Sequence, residues 1–163
     1  MNFLPTDVAA ACVSLGPTVG PLPPSIDGGT LLWALAGNES SHGVNCGPRH
    51  EPAFDVGGTF YADSPEQQAL IAKFPYQAAC SFGPLQIMFC NSPEGASPSD
   101  FDDLTTAMQY SVAFLNKQLA RWKPLTLTTL GQIWNSGEPR RTPSPGVVAY
   151  CNALTKGYMG GLP

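Results

Sequence analysis

Glu39 follows closely on the apolar run Leu31-Leu32-Trp33-Ala34-Leu35-Ala36. A carboxyl group at the end of such a run emerges from the core side of a fold, where partial desolvation raises its pKa and keeps it protonated enough to act as a general acid. The competing reading is a solvated residue or cap at a helix end. Gln86 and Asn135 each offer a donor and an acceptor, as hydroxyl-rich, acetamido-bearing sugars require, and Ser81 could orient a carboxyl or an acetamido group. The same amides can instead satisfy backbone groups at helix ends. Glycosidic cleavage needs a proton at the leaving oxygen while positive charge builds at the anomeric carbon, and a desolvated Glu39 meets the first requirement. A second carboxylate would decide between reaction types. Inverting hydrolases place a base about 6.5 to 9.5 Å from the acid and retaining ones a nucleophile at about 5 to 5.5 Å. Asp55, Asp63 and Glu138 are candidates for that role, and nothing in their spacing selects one.

His42, Cys46 and His50 recur at intervals of four and would align as metal ligands on a helix. Gly43, Gly47 and Pro48 interrupt any helix there and no fourth ligand follows, so neither a metal nor another cofactor is expected. The chain has no phosphate-cradling Gly-Lys loop and no dinucleotide Gly fingerprint, and the adjacent Ser41 and His42 do not make a nucleophile pair.

The elements that must position these groups are mainly helical. Helices are expected over Asp7 to Leu15, from about Thr30 through the apolar run to Gly37–Ser41, from Pro65 to Lys73, from Gly83-Pro84 through Met88, and from Leu127 to Gly137. A last one covers Val147 to Leu154. The longest begins after Asp100, Asp102 and Asp103 and runs to Trp122, with Leu104, Met108, Val112, Leu115 and Leu119 repeating at helical spacing. Residues 49–62 carry Phe54, Val56, Thr59, Phe60 and Tyr61 around Gly57-Gly58 and predict a small β-hairpin. The fold class is therefore α+β, predominantly helical, with a small β-hairpin.

Composition bounds the rest. The 163 residues fit one domain with a real core, here 1–163, with a helix and Pro-rich lead-in over 1–25. Charged residues make up 12%, while Gly and Pro number 17 each, about a fifth of the chain together against roughly 12% expected. With 43% hydrophobic residues, this reads as a globular, turn-rich protein, probing neither disorder nor collagen. No apolar run approaches the roughly 18 to 20 residues of a membrane helix. The net charge is −4 and the only adjacent basic pair is Arg140-Arg141, so a nucleic-acid partner is not expected. Residues 1–24 lack a base and are broken by five prolines, unlike a secretory leader. Five cysteines leave one unpaired in a monomer, the expected state. An oxidising compartment would permit two bridges, Cys46 with Cys80 or Cys90 among them, and buried thiols are the alternative.

Three segments resemble the lysozyme-like lytic transglycosylases, glycoside hydrolase family 23, which includes the goose-type lysozymes. Ala36-Gly37-Asn38-Glu39-Ser40-Ser41 is similar to the family's helix-borne Glu-Ser signature around the catalytic acid. Ser81-Phe82-Gly83-Pro84-Leu85-Gln86-Ile87-Met88 is similar to its Ser-x-Gly-x-x-Gln-Ile-Met segment along the saccharide groove. Ile133-Trp134-Asn135-Ser136-Gly137 is similar to its Tyr-Asn-x-Gly segment. With Tyr150, the resemblance covers about residues 30 to 155. Trp134 departs from the usual tyrosine, which removes a hydroxyl contact and leaves an aromatic face for sugar stacking; Pro84 departs as well. Arg49-His50-Glu51-Pro52 is similar to a segment in some members, with Glu51 either facing the cleft or held structurally by Arg49.

The resemblance implies a lysozyme-like domain that cleaves the β-1,4 bond between N-acetylmuramic acid and N-acetylglucosamine in peptidoglycan glycan strands. Glu39 would protonate that bond and then take the proton of the muramoyl 6-hydroxyl as a 1,6-anhydro ring closes. Ser81, Gln86, Ile87, Trp134, Asn135, Tyr150 and Glu51 would bind substrate. The place of action would be the bacterial cell wall, in the periplasm or outside the cell, for a phage lysin made without a leader or a bacterial enzyme lacking its own. The alternatives are a muramidase or a chitinase on the same fold, and a saccharide-binding module without turnover.

Overall fold

A computed structural model describes residues 2–61, 64–124 and 126–163. Among them are six α-helices and a three-stranded antiparallel sheet, so the chain is a predominantly helical α+β protein. The helices are α1 (Pro5–Leu15), α2 (Gly28–Ser40), α3 (Pro65–Lys73), α4 (Leu104–Trp122), α5 (Leu127–Ser136) and α6 (Pro145–Gly160). The strands are β1 (Arg49–His50), β2 (Cys80–Phe82) and β3 (Ile87–Met88). No helix among the described residues is long and apolar enough to cross a membrane.

Helix α2 lies at the centre. Its N-cap Asp27 accepts from the Thr30 amide at 2.7 Å, which ties down a helix start that lacks an acidic first turn. Leu31, Leu32, Ala34, Leu35 and Ala36 are fully buried among α1, α4 and α6, as an all-round apolar helix must be. Two glycine contacts bring the neighbours close: Gly16 meets the backbone of Gly28-Gly29, and Gly157 of α6 lies against Ala34. Helix α6 runs to Gly160, well beyond the expected end at Leu154, and its Gly157 is the glycine that leaves room for α2. At the other end, Ser41 caps α2 in the left-handed region at φ 54, and His42 follows at φ 58.

The sheet differs from expectation in two places. The hairpin predicted around Gly57-Gly58 does not form. Instead β1 pairs with β2, thirty residues onward, in the register Arg49↔Ser81 and His50↔Cys80. Residues Pro52–Phe54 make a 3-10 turn, closed by Gly58 N–H to Asp55 O at 2.7 Å and Phe60 N–H to Ala53 O at 2.7 Å. Ala62, at the end of the predicted hairpin, lies outside the described residues. The long-range pairing wins because β2 is buried on every residue, whereas the 53–60 segment is largely exposed and has no second sheet face to cover.

The helix expected over residues 83–88 is also absent. Gly83 (φ 77) and Gln86 (φ 48) both sit at positive φ, which ends any helix and turns the chain back, so β3 pairs with β2 through Ser81↔Met88 and Phe82↔Ile87. This hairpin packs Phe82 and Ile87 into an aromatic cluster with Phe89 and Phe101.

The bridge between Cys46 and Cys80 or Cys90 is not formed; all five cysteines are free thiols. Cys46 Sγ donates to Gly43 O at 3.2 Å and Cys80 Sγ to Tyr76 O at 3.4 Å. Burial pushes the Cys12 thiol up to about 12 and Cys90 to about 11, so they pack as small apolar groups.

Candidate functional site

A cleft of about 440 Å³ opens between the sheet and the α4–α5 side of the helical body. Glu39, from the last turn of α2, forms its floor. Arg49, Glu51, Ser81, Gln86 and Ile87 come from the sheet side, and Trp134 and Asn135 from the end of α5. Seven of the eight residues singled out in the sequence thus line one cavity. The eighth, Tyr150, reaches Glu39 from behind, out of α6.

The side chain of Glu39 is 10% exposed. Its Oε1 accepts from Tyr150 Oη at 2.6 Å and from Trp134 Nε1 at 3.1 Å, and its Oε2 faces Arg49 Nη2 at 3.7 Å. Burial lifts the carboxyl above the ordinary glutamate range. The Tyr150 hydrogen bond, the Arg49 charge and the Trp134 hydrogen bond work against that lift, and the Glu51 charge adds to it. With Oε1 occupied by two donors, Oε2 is the oxygen placed to carry and deliver a proton. Burial and the Glu39 charge push the Tyr150 phenol strongly upward, so it stays a donor at every physiological pH.

Removing that donor has a signed consequence. In Tyr150→Phe, Glu39 loses its shortest hydrogen bond, so its pKa rises further and its orientation loosens. Hydrogen bonds to a charged group contribute about 1.5 to 3 kcal/mol. We expect the titration midpoint of the Glu39 carboxyl to move up, as read by carbon-13 NMR of that carboxyl between pH 4 and 9.

The other predicted residues divide. Asn135 is exposed in the cleft with no hydrogen bond to its side chain among the described residues, so its amide is available to a ligand. Gln86 is not: its Oε1 accepts from Ser81 Oγ at 3.0 Å, and its Nε2 donates to Gly83 O at 2.9 Å and to Gly47 O at 3.4 Å. Its amide therefore fastens the β2–β3 turn. The Trp134 indole donates its N–H to Glu39 and packs edge-on against Phe114, beside the hydroxyl that Tyr150 donates to the same carboxylate oxygen. Glu51 realises both of its readings, lining the cleft while its Oε1 takes Arg49 Nε at 2.6 Å.

Of the possible second acids, Asp55 is bound to His50 Nε2 at 2.9 Å and Glu138 to Arg140 at 3.3 Å, neither within the cleft lining. Asp63 lies outside the described residues. Glu51 is thus the only carboxylate beside Glu39 on the cleft wall among the described residues. The spaced triplet also separates: His42 stacks on Trp33 at 3.7 Å, Cys46 is buried on Gly43, and His50 binds Asp55. Among the described residues, no three His, Cys, Asp or Glu converge as a metal site.

Sequence reasoning did not single out Arg49 as a partner of the acid, nor the aromatic walls Phe54, Phe60 and Phe114. The lone cation before the exposed aromatics was visible in the sequence, but its contact to Glu39 depends on the β1–β2 pairing. A wider hollow of about 760 Å³ lies along the Pro-rich segment between α1 and α2. Its Asp27 is committed to capping α2 and its Tyr158 hydroxyl accepts from the Asp27 N–H, so neither is a free acid or base. Compared with protein-family models, with curated proteins and with solved structures, the chain matches none.

Proposed function

We propose that the protein is a peptidoglycan lytic transglycosylase built on a lysozyme-like domain, acting on glycan strands at the bacterial cell wall with Glu39 as its general acid and base. The observation that carries this reading is a single buried carboxyl whose pKa is raised, on the floor of a cleft whose other carboxylate, Glu51, is already paired with a guanidinium. Protonated Oε2 donates to the glycosidic oxygen, the bond from that oxygen to the anomeric carbon breaks, and the substrate's acetamido group supports the cation. The muramoyl 6-hydroxyl then bonds to the anomeric carbon and returns its proton to Glu39. No water is consumed, so the paired state of Glu51 costs the reaction nothing.

Mass analysis of muropeptides released from purified peptidoglycan tests the reading. 1,6-Anhydro ends support it, reducing ends make the protein a muramidase, release from chitin alone makes it a chitinase, and binding without release makes it a recognition module.

The aromatic wall contributes to binding rather than to chemistry. Phe60 is 57% exposed yet its backbone N–H is held by Ala53 O, an arrangement suited to stacking on the apolar face of a sugar ring. Phe60→Ala raises KM about fivefold with kcat unchanged, the effect of ~1 kcal/mol from one stacking contact, as measured by initial rates against glycan concentration.

A further inference from the structure

One polar chain in the cleft has no part in the proposed proton transfer. It begins in the β2–β3 turn, where Gln86 is fastened to the backbone and holds Ser81 Oγ at 3.0 Å. Ser81 Oγ also lies 3.2 Å from Glu51 Oε1, and Glu51 Oε1 binds Arg49 Nε at 2.6 Å. The other end of the same guanidinium faces the free oxygen of Glu39 at 3.7 Å. Ser81 has one proton and three acceptors, Gln86 Oε1, Glu51 Oε1 and, at 3.4 Å, Arg49 O, and the carboxylate is the strongest of them.

We propose that Arg49 is a positioning residue for the acid, and that Glu51, anchored by Ser81, holds the guanidinium back from Glu39 Oε2 so that this oxygen can keep its proton. The proposal rests on the reading of Glu39 as the acid and adds how its acidity is set. Its geometric basis is the unequal pair of contacts. A charge-assisted hydrogen bond at 2.6 Å holds the guanidinium on Glu51, and the contact to Glu39 is longer than any hydrogen bond. A guanidinium in direct contact would ionise Glu39 and remove the acid form. The groups facing Glu39 are Tyr150 from α6, Trp134 from α5, and Arg49 and Glu51 from β1 and the residue after it. Of these, only Arg49 and Glu51 bear a charge that a substitution can remove while both hydrogen bonds to Oε1 remain. The segment Ser81 to Gln86 therefore reaches the acid through two residues, Glu51 and then Arg49, rather than through the sugar.

The test is a carbon-13 NMR titration of the Glu39 carboxyl in the intact protein, run beside the pH profile of kcat/KM on peptidoglycan. In Arg49→Gln the Glu39 midpoint moves up, because the neighbouring cation is gone. In Glu51→Gln it moves down, because the released guanidinium closes on Oε2 and a like charge is lost. Combining the two makes the downward step of Glu51→Gln smaller than it is with Arg49 present. Arg49 is 54% exposed, so its replacement leaves the core untouched. As a check without mutation, raising salt to about 1 M, where the screening length is ~3 Å, moves the wild-type midpoint up by weakening the pull of Arg49. Shifts of the two single variants in the same direction, or no shift in either, overturn the proposal. The titration needs no turnover: opposite shifts with no peptidoglycan cleavage would sustain the tether while removing the assigned activity.

Discussion

In Glu39→Gln, cell-wall lysis falls by about 10³-fold or more while the protein stays folded. The amide keeps an oxygen for the Tyr150 and Trp134 donors that bind Oε1 at 2.6 and 3.1 Å, so the local structure has no reason to change. What is lost is the proton that the proposed reaction delivers to the glycosidic oxygen. Stability supplies an independent readout with a definite sign. Because burial raises the folded-state pKa of Glu39, its protonated form contributes stability that is fully present below the unfolded pKa and is lost as pH rises through the higher folded value. The variant cannot ionise. Relative to wild type it therefore gains stability as pH rises through that window, and thermal melts at pH 4 and pH 8 measure the difference. Lysis by the folded variant at a rate near that of wild type would end the role of Glu39.

Gly28→Ala is the other change with a large expected effect, and it acts on the scaffold. A Cβ at position 28 would lie 2.2 Å from Gly16 O and 3.1 Å from Gly16 C. Both obstacles are backbone, so no rotamer change relieves them, and α1 and α2 must separate. We expect a loss of about 3 kcal/mol, which lowers Tm by roughly 10 °C in a chain of this size. Gly28 opens the helix that carries Glu39 in its last turn, so the shift also moves the acid relative to the sheet, and the proposed activity should decline even in the folded fraction. Gly160→Ala is the control: its Cβ meets nothing within 4 Å, and it should alter stability by no more than ~0.5 kcal/mol.

The helices were largely legible in the sequence because their signals are local. Ser64 and Pro65 open α3, Asp103 caps α4 with Thr106, and Thr126 and Gly137 bracket α5. The strands were not. Two-residue and three-residue strands carry no period of their own, and the partner of Arg49-His50 is chosen by the burial available around Cys80-Phe82 rather than by the nearest turn. Gly83-Pro84 looked like a helix start, and only the positive φ at both Gly83 and Gln86 makes it a hairpin.

The chemistry divides in the same way. Residue types and spacing alone identified Glu39 as the acid candidate, because an apolar helix ending in Glu announces a carboxyl near the core. Their chemistry also suited Ser81, Gln86 and Asn135 as its companions, while Trp134 was marked only by the resemblance. Which atoms are free was decided only in three dimensions. Gln86 spends its amide on the β2–β3 turn, Trp134 donates to the acid, Asn135 stays open, and Arg49 spans two carboxylates. The physical reason is that burial and capping are read within a few residues of chain. Hydrogen-bond satisfaction and charge proximity depend on groups that the fold brings together from positions 39, 49, 81, 134 and 150.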